Sequence, residues 1–130
     1  MSSSEEPINV DDPEIDGDLS GRITYRGELF TGQTVEYHPK TGQRIGLTTY
    51  TDGVEDGPSK SWYPDGSLES EGVVKSGSAV GEWHEYHPNG RVRQLDVFDD
   101  QGRHQSRKIW DENGTLIEEH PTSLGHTLGG

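Results

Sequence analysis

The sequence predicts an all-β fold: an elongated, twisted antiparallel meander of about four stacked β-hairpins. Three observations predict it. An aromatic residue recurs at Tyr37, Trp62, Tyr86 and Trp110, at intervals of 25, 24 and 24 residues, within the range of repeat architectures. A glycine turn follows each aromatic, and a second glycine turn joins each unit to the next. No window of useful length carries a 3.6-residue apolar period, and 18 glycines interrupt the chain too often for long helices.

The first strand of each unit reads Gly32-Gln-Thr-Val-Glu-Tyr37-His-Pro, Gly57-Pro-Ser-Lys-Ser-Trp62-Tyr-Pro, Gly81-Glu-Trp-His-Glu-Tyr86-His-Pro and Gln105-Ser-Arg-Lys-Ile-Trp110-Asp-Glu. Turn signals follow at Lys40-Thr-Gly42, Asp65-Gly66, Asn89-Gly90 and Asn113-Gly114. Asn-Gly and Asp-Gly tolerate positive φ and match the twist of flanking strands, so two-residue hairpin loops are expected there. The second strands start at Gln43, Ser67, Arg91 and Thr115, where β-branched, aromatic and other apolar residues alternate with polar ones. Asp52-Gly53, Ser76-Gly77 and Gln101-Gly102 then connect one hairpin to the next. Each hairpin is expected to touch mainly its neighbours.

Only 26% of the 130 residues are apolar, which suits a thin sheet with one wet face better than a globule with two buried ones. The absence of cysteine removes disulfides and thiolate chemistry, and a cytoplasmic location is the expectation. No apolar stretch approaches the ~18 residues of a membrane span, so no membrane association is expected. The net charge of −13 argues against direct nucleic-acid binding, which needs clustered Lys and Arg. Seven acids and no Lys or Arg fall in the first 20 residues. Residues 1–20 are therefore expected to be an acidic, flexible segment, with Ile8, Val10, Ile15 and Leu19 able to add an edge strand. Residues 21–117 form the repeat domain and 118–130 a flexible tail.

The run Gly81-Glu-Trp-His-Glu-Tyr-His-Pro-Asn-Gly90, followed by a polar-apolar strand and another glycine turn, resembles the MORN-repeat variant of YwqK-type antitoxin and immunity proteins. The likeness spans roughly 22–117. It implies a stacked-hairpin sheet that neutralises a cognate toxin by direct binding, and it supplies no catalytic residues. Thr41 adds a residue to the first loop and Gln105 replaces the glycine of the fourth unit, as terminal repeats that cap a stack often differ. A MORN-type scaffold for protein or membrane association is the alternative reading, and a cofactor-free small-molecule enzyme a distant one.

The expected partner is a protein, a basic toxin or nuclease domain, because an acidic binder gains association rate by electrostatic steering. Tyr37, Trp62, Tyr86 and Trp110 are read as a core ladder across neighbouring strands. Tyr63 and Trp83, on the opposite strand parity, are the aromatic candidates for partner contact. The acidic candidates are Asp52, Glu55, Asp56, Asp99 and Asp100 in the inter-repeat turns. Metal binding is not expected: among His38, His84 and His87, the last two differ by three positions and point to opposite faces of a flat strand. The run from Asp12 to Gly17 opens like a calcium loop but has Ile23 where the bidentate Glu belongs. No nucleophile elbow is present, so no enzyme activity and no cofactor are expected.

Overall fold

The computed structural model describes residues 6–121; residues 1–5 and 122–130, parts of the two segments expected to be flexible, lie outside the described residues. All regular structure within that span is strand. In chain order the strands are β1 (Ile8–Asn9), β2 (Ile15–Gly17), β3 (Ile23–Tyr25), β4 (Glu28–Leu29), β5 (Gly32–Tyr37), β6 (Arg44–Thr51), β7 (Val54–Trp62), β8 (Leu68–Lys75), β9 (Ser78–Tyr86), β10 (Val92–Phe98), β11 (His104–Trp110) and β12 (Leu116–His120). From β5 to β12 consecutive strands pair antiparallel, which is the four-hairpin meander read from the aromatic period. The open sheet gains a ninth strand because β1 pairs parallel with β5, placing Ile8 opposite Thr34 and Asn9 opposite Val35. The last strand extends to His120, past the boundary drawn at 117.

A second, three-stranded sheet of β2, β3 and β4 has no counterpart in the sequence reading. Its strands are only two or three residues long, too short to show an alternating pattern. It docks through the Asp52-Gly53 turn. The Gly53 N–H donates to the Phe30 carbonyl at 2.7 Å, and the Ile23 N–H donates to the Gly53 carbonyl at 3.0 Å. A Cβ on Gly53 would stand 2.7 Å from the Ile23 carbonyl oxygen, so no side chain fits in this seam.

The loops differ from expectation in an instructive way. Within the second, third and fourth hairpins the loop has three residues, not two. Tyr63 N–H donates to Ser67 C=O and Gly66 N–H to Tyr63 C=O, with the same pattern at His87–Arg91 and Asp111–Thr115. Only the glycine has positive φ (Gly66 96°, Gly90 91°, Gly114 91°), the signature of a type I turn closed by a glycine bulge. Two-residue turns with both central φ values positive occur instead between hairpins, at Asp52-Gly53 (49°, 83°) and Ser76-Gly77 (50°, 88°). Thr41 lengthens the first hairpin loop, as its extra residue implied: His38 N–H donates to Gln43 C=O and Gly42 N–H to His38 C=O.

Register assigns the side chains to faces, since directly paired residues share one. One unbroken row crosses the sheet as Val35, Leu47, Lys60, Glu71, His84, Leu95, Lys108 and Glu119. The adjacent row, on the opposite face, reads Glu36, Gly46, Ser61, Ser70, Glu85, Gln94, Ile109 and Glu118. Among the described residues the buried apolar side chains are Phe30 (7% exposed), Val35 (2%) and Val74 (7%). Phe30 sits edge-on between Tyr25 and Tyr50, with ring centroids 6.0 Å apart on either side. The aromatic ladder is therefore not a buried core: Trp62, Tyr86 and Trp110 are half-buried and Tyr37 is 40% exposed. A single-layer sheet supplies no second layer to cover them.

Candidate functional site

The two ends of the meander hold its repeats together by different means. At the hairpin-loop end, side chains reach forward to the next repeat. Tyr63 Oη donates to the Tyr86 carbonyl at 2.6 Å. His87 Nε2 bonds the Trp110 carbonyl at 2.9 Å, which places its ring proton on that nitrogen. Asn89 Nδ2 donates to the Glu112 carbonyl (3.0 Å) and Arg91 Nη1 to that of Asn113 (2.6 Å). Burial, followed by the nearby charge of Glu69, pushes the Tyr63 phenol up and keeps it a neutral donor. Tyr63, a candidate for partner contact, thus has its polar end committed to inter-repeat stacking and is half-buried.

The acidic candidates lie at the opposite end, where the inter-repeat turns are found. Asp52 occupies the first of these turns, and its N–H is held by Thr31 Oγ1 at 2.9 Å. Glu55 follows on β7, and its carbonyl accepts the Gly77 N–H. Asp56 Oδ1 accepts the Ser76 N–H at 3.0 Å and lines a cleft of about 370 Å³ with Arg22, Thr51, Val54 and Ser76. Asp99 closes its own turn: Oδ1 accepts the N–H groups of Gln101 and Arg103, both at 2.9 Å, and Oδ2 accepts Arg103 Nε at 2.8 Å. The backbone N–H of Arg103, then its guanidinium, holds the Asp99 carboxyl below the usual range. Asp99 is a turn cap rather than a free partner-facing charge, whereas its neighbour Asp100 is exposed.

Trp83 lies away from both ends, on the β9 strand. It is half-buried because its ring covers the backbone of Gly72, where an added Cβ would come within 2.1 Å of it. Tyr63 and Trp83 therefore do not form one aromatic patch. Across from Trp83 is Asp96, which is 5% exposed. Its carboxylate accepts Arg107 Nε at 2.8 Å, His104 Nε2 at 2.7 Å and Gln94 Nε2 at 2.7 Å. Burial pushes this carboxyl up, but the three hydrogen bonds and the Arg107 charge outweigh it and hold the group below the usual carboxylate range. Arg93 and Glu85 form a further ion pair near this cluster. In sequence Asp96 reads as an ordinary polar position between Leu95 and Val97; only the β10–β11 pairing brings Arg107 and His104 to it.

The other face carries a groove that the sequence reading missed. Its volume is about 570 Å³, and Val92, Leu95, Trp110, His84 and Arg91 line it together with Gly90 and Gly114. His84 stacks on Tyr86 at 6.1 Å between centroids, and Tyr86 Oη donates to Glu71 Oε2 at 2.7 Å. Burial first, then this hydrogen bond and the Glu71 charge, pushes the Tyr86 phenol up to about 12. Among the described residues no group of His, Cys, Asp and Glu is arranged to hold a metal ion.

Residues 55–76 match the MORN repeat variant. They cover the β7–β8 hairpin, short of its first residue, and Ser76, the first residue of the turn after it. No curated protein matches the chain. Two solved structures are similar: TarM, at 9% identity and a TM-score of 0.42 over 82% of this chain, and a point mutant of S. aureus TarM in complex with Fondaparinux, alpha-GlcNAc-glycerol and UDP, at 9% identity and 0.41 over 81%. This chain spans 19% and 18% of those two proteins. The second hairpin is thus a MORN repeat variant set in a stack of four hairpins, which supports a scaffold for protein or membrane association.

Proposed function

We propose that the protein is a binding scaffold that captures a basic protein partner, in the manner of an antitoxin or immunity protein. The observation that carries this reading is the placement of unpaired acid. The chain holds 24 Asp and Glu against 11 Lys and Arg. Asp52, Glu55 and Asp100 are exposed on the inter-repeat-turn end and make no ion pair among the described residues. A negative end of this kind attracts a positive partner over ~8–10 Å at ordinary ionic strength, which raises the encounter rate more than it strengthens the final complex. The same charge works against anionic lipid headgroups, so protein is favoured over membrane.

The test is capture of a partner from the native host, followed by association kinetics at increasing salt. Association is expected to slow with salt more than dissociation quickens. Joint reversal of Asp52, Glu55 and Asp100 to Lys is expected to lower the on-rate with an unchanged melting curve. An on-rate indifferent to both changes would reject electrostatic capture.

A further inference from the structure

We infer that the groove between the third and fourth hairpins is a binding site for a small carboxylic acid with an apolar, aromatic or branched body. This goes beyond capture of a protein, which the acidic turns at one end of the sheet would perform. The groove has the size of a small-molecule site, about 570 Å³. Its walls are Val92, Leu95 and the indole of Trp110, half-buried surfaces on which an apolar body gains from leaving water.

The second observation is charge. In a chain of net charge −13, the only ionisable groups lining this groove among the described residues are Arg91 and His84, and neither is an acid. The Arg91 guanidinium spends one N–H on the Asn113 carbonyl, at 2.6 Å, which fixes it at the rim beside Gly114. Its other donors bond no group among the described residues and stay available to a carboxylate. The His84 ring is held flat against Tyr86, and Glu82 Oε1 stands 3.8 Å from its Nε2. The site thus combines an apolar wall with an oriented cation, complementary to an apolar carboxylate and not to the basic partner expected at the turns.

The experiment is a titration of the full chain with 3-phenylpropionate and, separately, with its neutral amide, followed by Trp fluorescence and by NMR shifts of the Trp110 indole N–H and the Leu95 methyls. The carboxylate is expected to bind saturably, with the largest shifts at Trp110 and Leu95, and about tenfold more tightly than the amide, the worth of one charge-assisted hydrogen bond. Arg91→Gln is expected to remove that preference while leaving the affinity for the amide unchanged. Equal affinity for acid and amide in the wild-type protein, shifts centred elsewhere, or no saturation at millimolar ligand would each overturn the proposal. The wild-type comparison stands even if Arg91→Gln weakens the fold.

Discussion

The first and third hairpins share Tyr-His-Pro, at Tyr37-His38-Pro39 and Tyr86-His87-Pro88, yet the two histidines do different things. His87 reaches forward and bonds the Trp110 carbonyl of the next repeat. His38 turns inward: its Nδ1 accepts the N–H groups of Lys40 (3.1 Å) and Thr41 (3.2 Å) in its own loop. The extra residue Thr41 supplies a donor that the three-residue loop lacks. On that side the first and second hairpins are joined instead by the Arg44 guanidinium over the Trp62 ring, 5.9 Å from its centroid. A second contrast lies on the other face. Where the first junction has Thr34, Thr48 and Ser59 in register, the third has Trp83, Asp96 and Arg107. A repeated motif sets where a side chain starts, and loop length and neighbours decide where it ends.

Acid should separate the two regions most. Asp65, Asp96, Asp99 and Asp111, all in the second to fourth hairpins and the turns after them, have carboxyls held below the usual range. The first hairpin, residues 32–51, contains no Asp. A depressed folded pKa gives stability that is fully present above the unfolded Asp value of ~3.9 and is lost as pH falls through the folded values. Between about pH 4 and 2, amide exchange protection is therefore expected to fail in β9–β12 before β5–β6. Simultaneous loss across the sheet would erase the distinction.

Next in size is Asp96→Ala, expected to lower unfolding free energy by about 1–3 kcal/mol, because it leaves three donors without their acceptor. The cost stays within that range because the Arg107 and His104 side chains are each 42% exposed and water can replace the carboxylate. Thr48→Ala, at the matching position of the first hairpin, is expected to cost under about 0.5 kcal/mol. Urea midpoints measure both, and equal losses would mean that the junctions are energetically alike.

A smaller difference is expected between the histidines. His87→Ala should cost about 0.5–1.5 kcal/mol, the net worth of a hydrogen bond, and should speed amide exchange in β11 and β12. His38→Ala should leave exchange in the second hairpin unchanged, because Nδ1 of that ring bonds within its own loop. The smallest effect, and the sharpest test of the loop-length argument, is deletion of Thr41. The shortened loop is expected to adopt the glycine-bulge form and let His38 bond the Trp62 carbonyl, seen as a new slowly exchanging His38 ring proton with a stability change under about 1 kcal/mol. A His38 ring proton that still exchanges freely would show that the loop is not what redirects the side chain.

Much of this architecture was legible in the chain. Four aromatics at a near-constant interval and glycines between them specify the meander, because each strand pairs with its sequence neighbour and needs no long-range information. The departure at Thr41 was legible as well. The small β2–β4 sheet was not, since strands of two or three residues carry no readable period. Nor was Trp83, whose half-burial depends on Gly72 across the β8–β9 pair, where the glycine reads as one more strand residue and gives no sign of the ring that covers it. The Asp96 cluster and the apolar groove escaped for the same reason: both are made by side chains that become neighbours only after the register is set.

The forward-reaching bonds also give the stack a direction. Tyr63 and His87 are donors placed just after an anchoring aromatic, each holding the carbonyl of the following repeat. The residue in that place after Trp110 is Asp111, which has no proton to offer; its Oδ1 accepts the N–H groups of Asn113 (2.9 Å) and Thr115 (3.0 Å) in its own loop. A further hairpin laid against β12, from another molecule or from a duplicated repeat, would not receive this bond, although Asn113 stands where Asn89 does in the third hairpin. Aspartate at this position turns the bond back into its own loop, so the series of forward bonds made by the residue after each anchoring aromatic ends with the fourth hairpin.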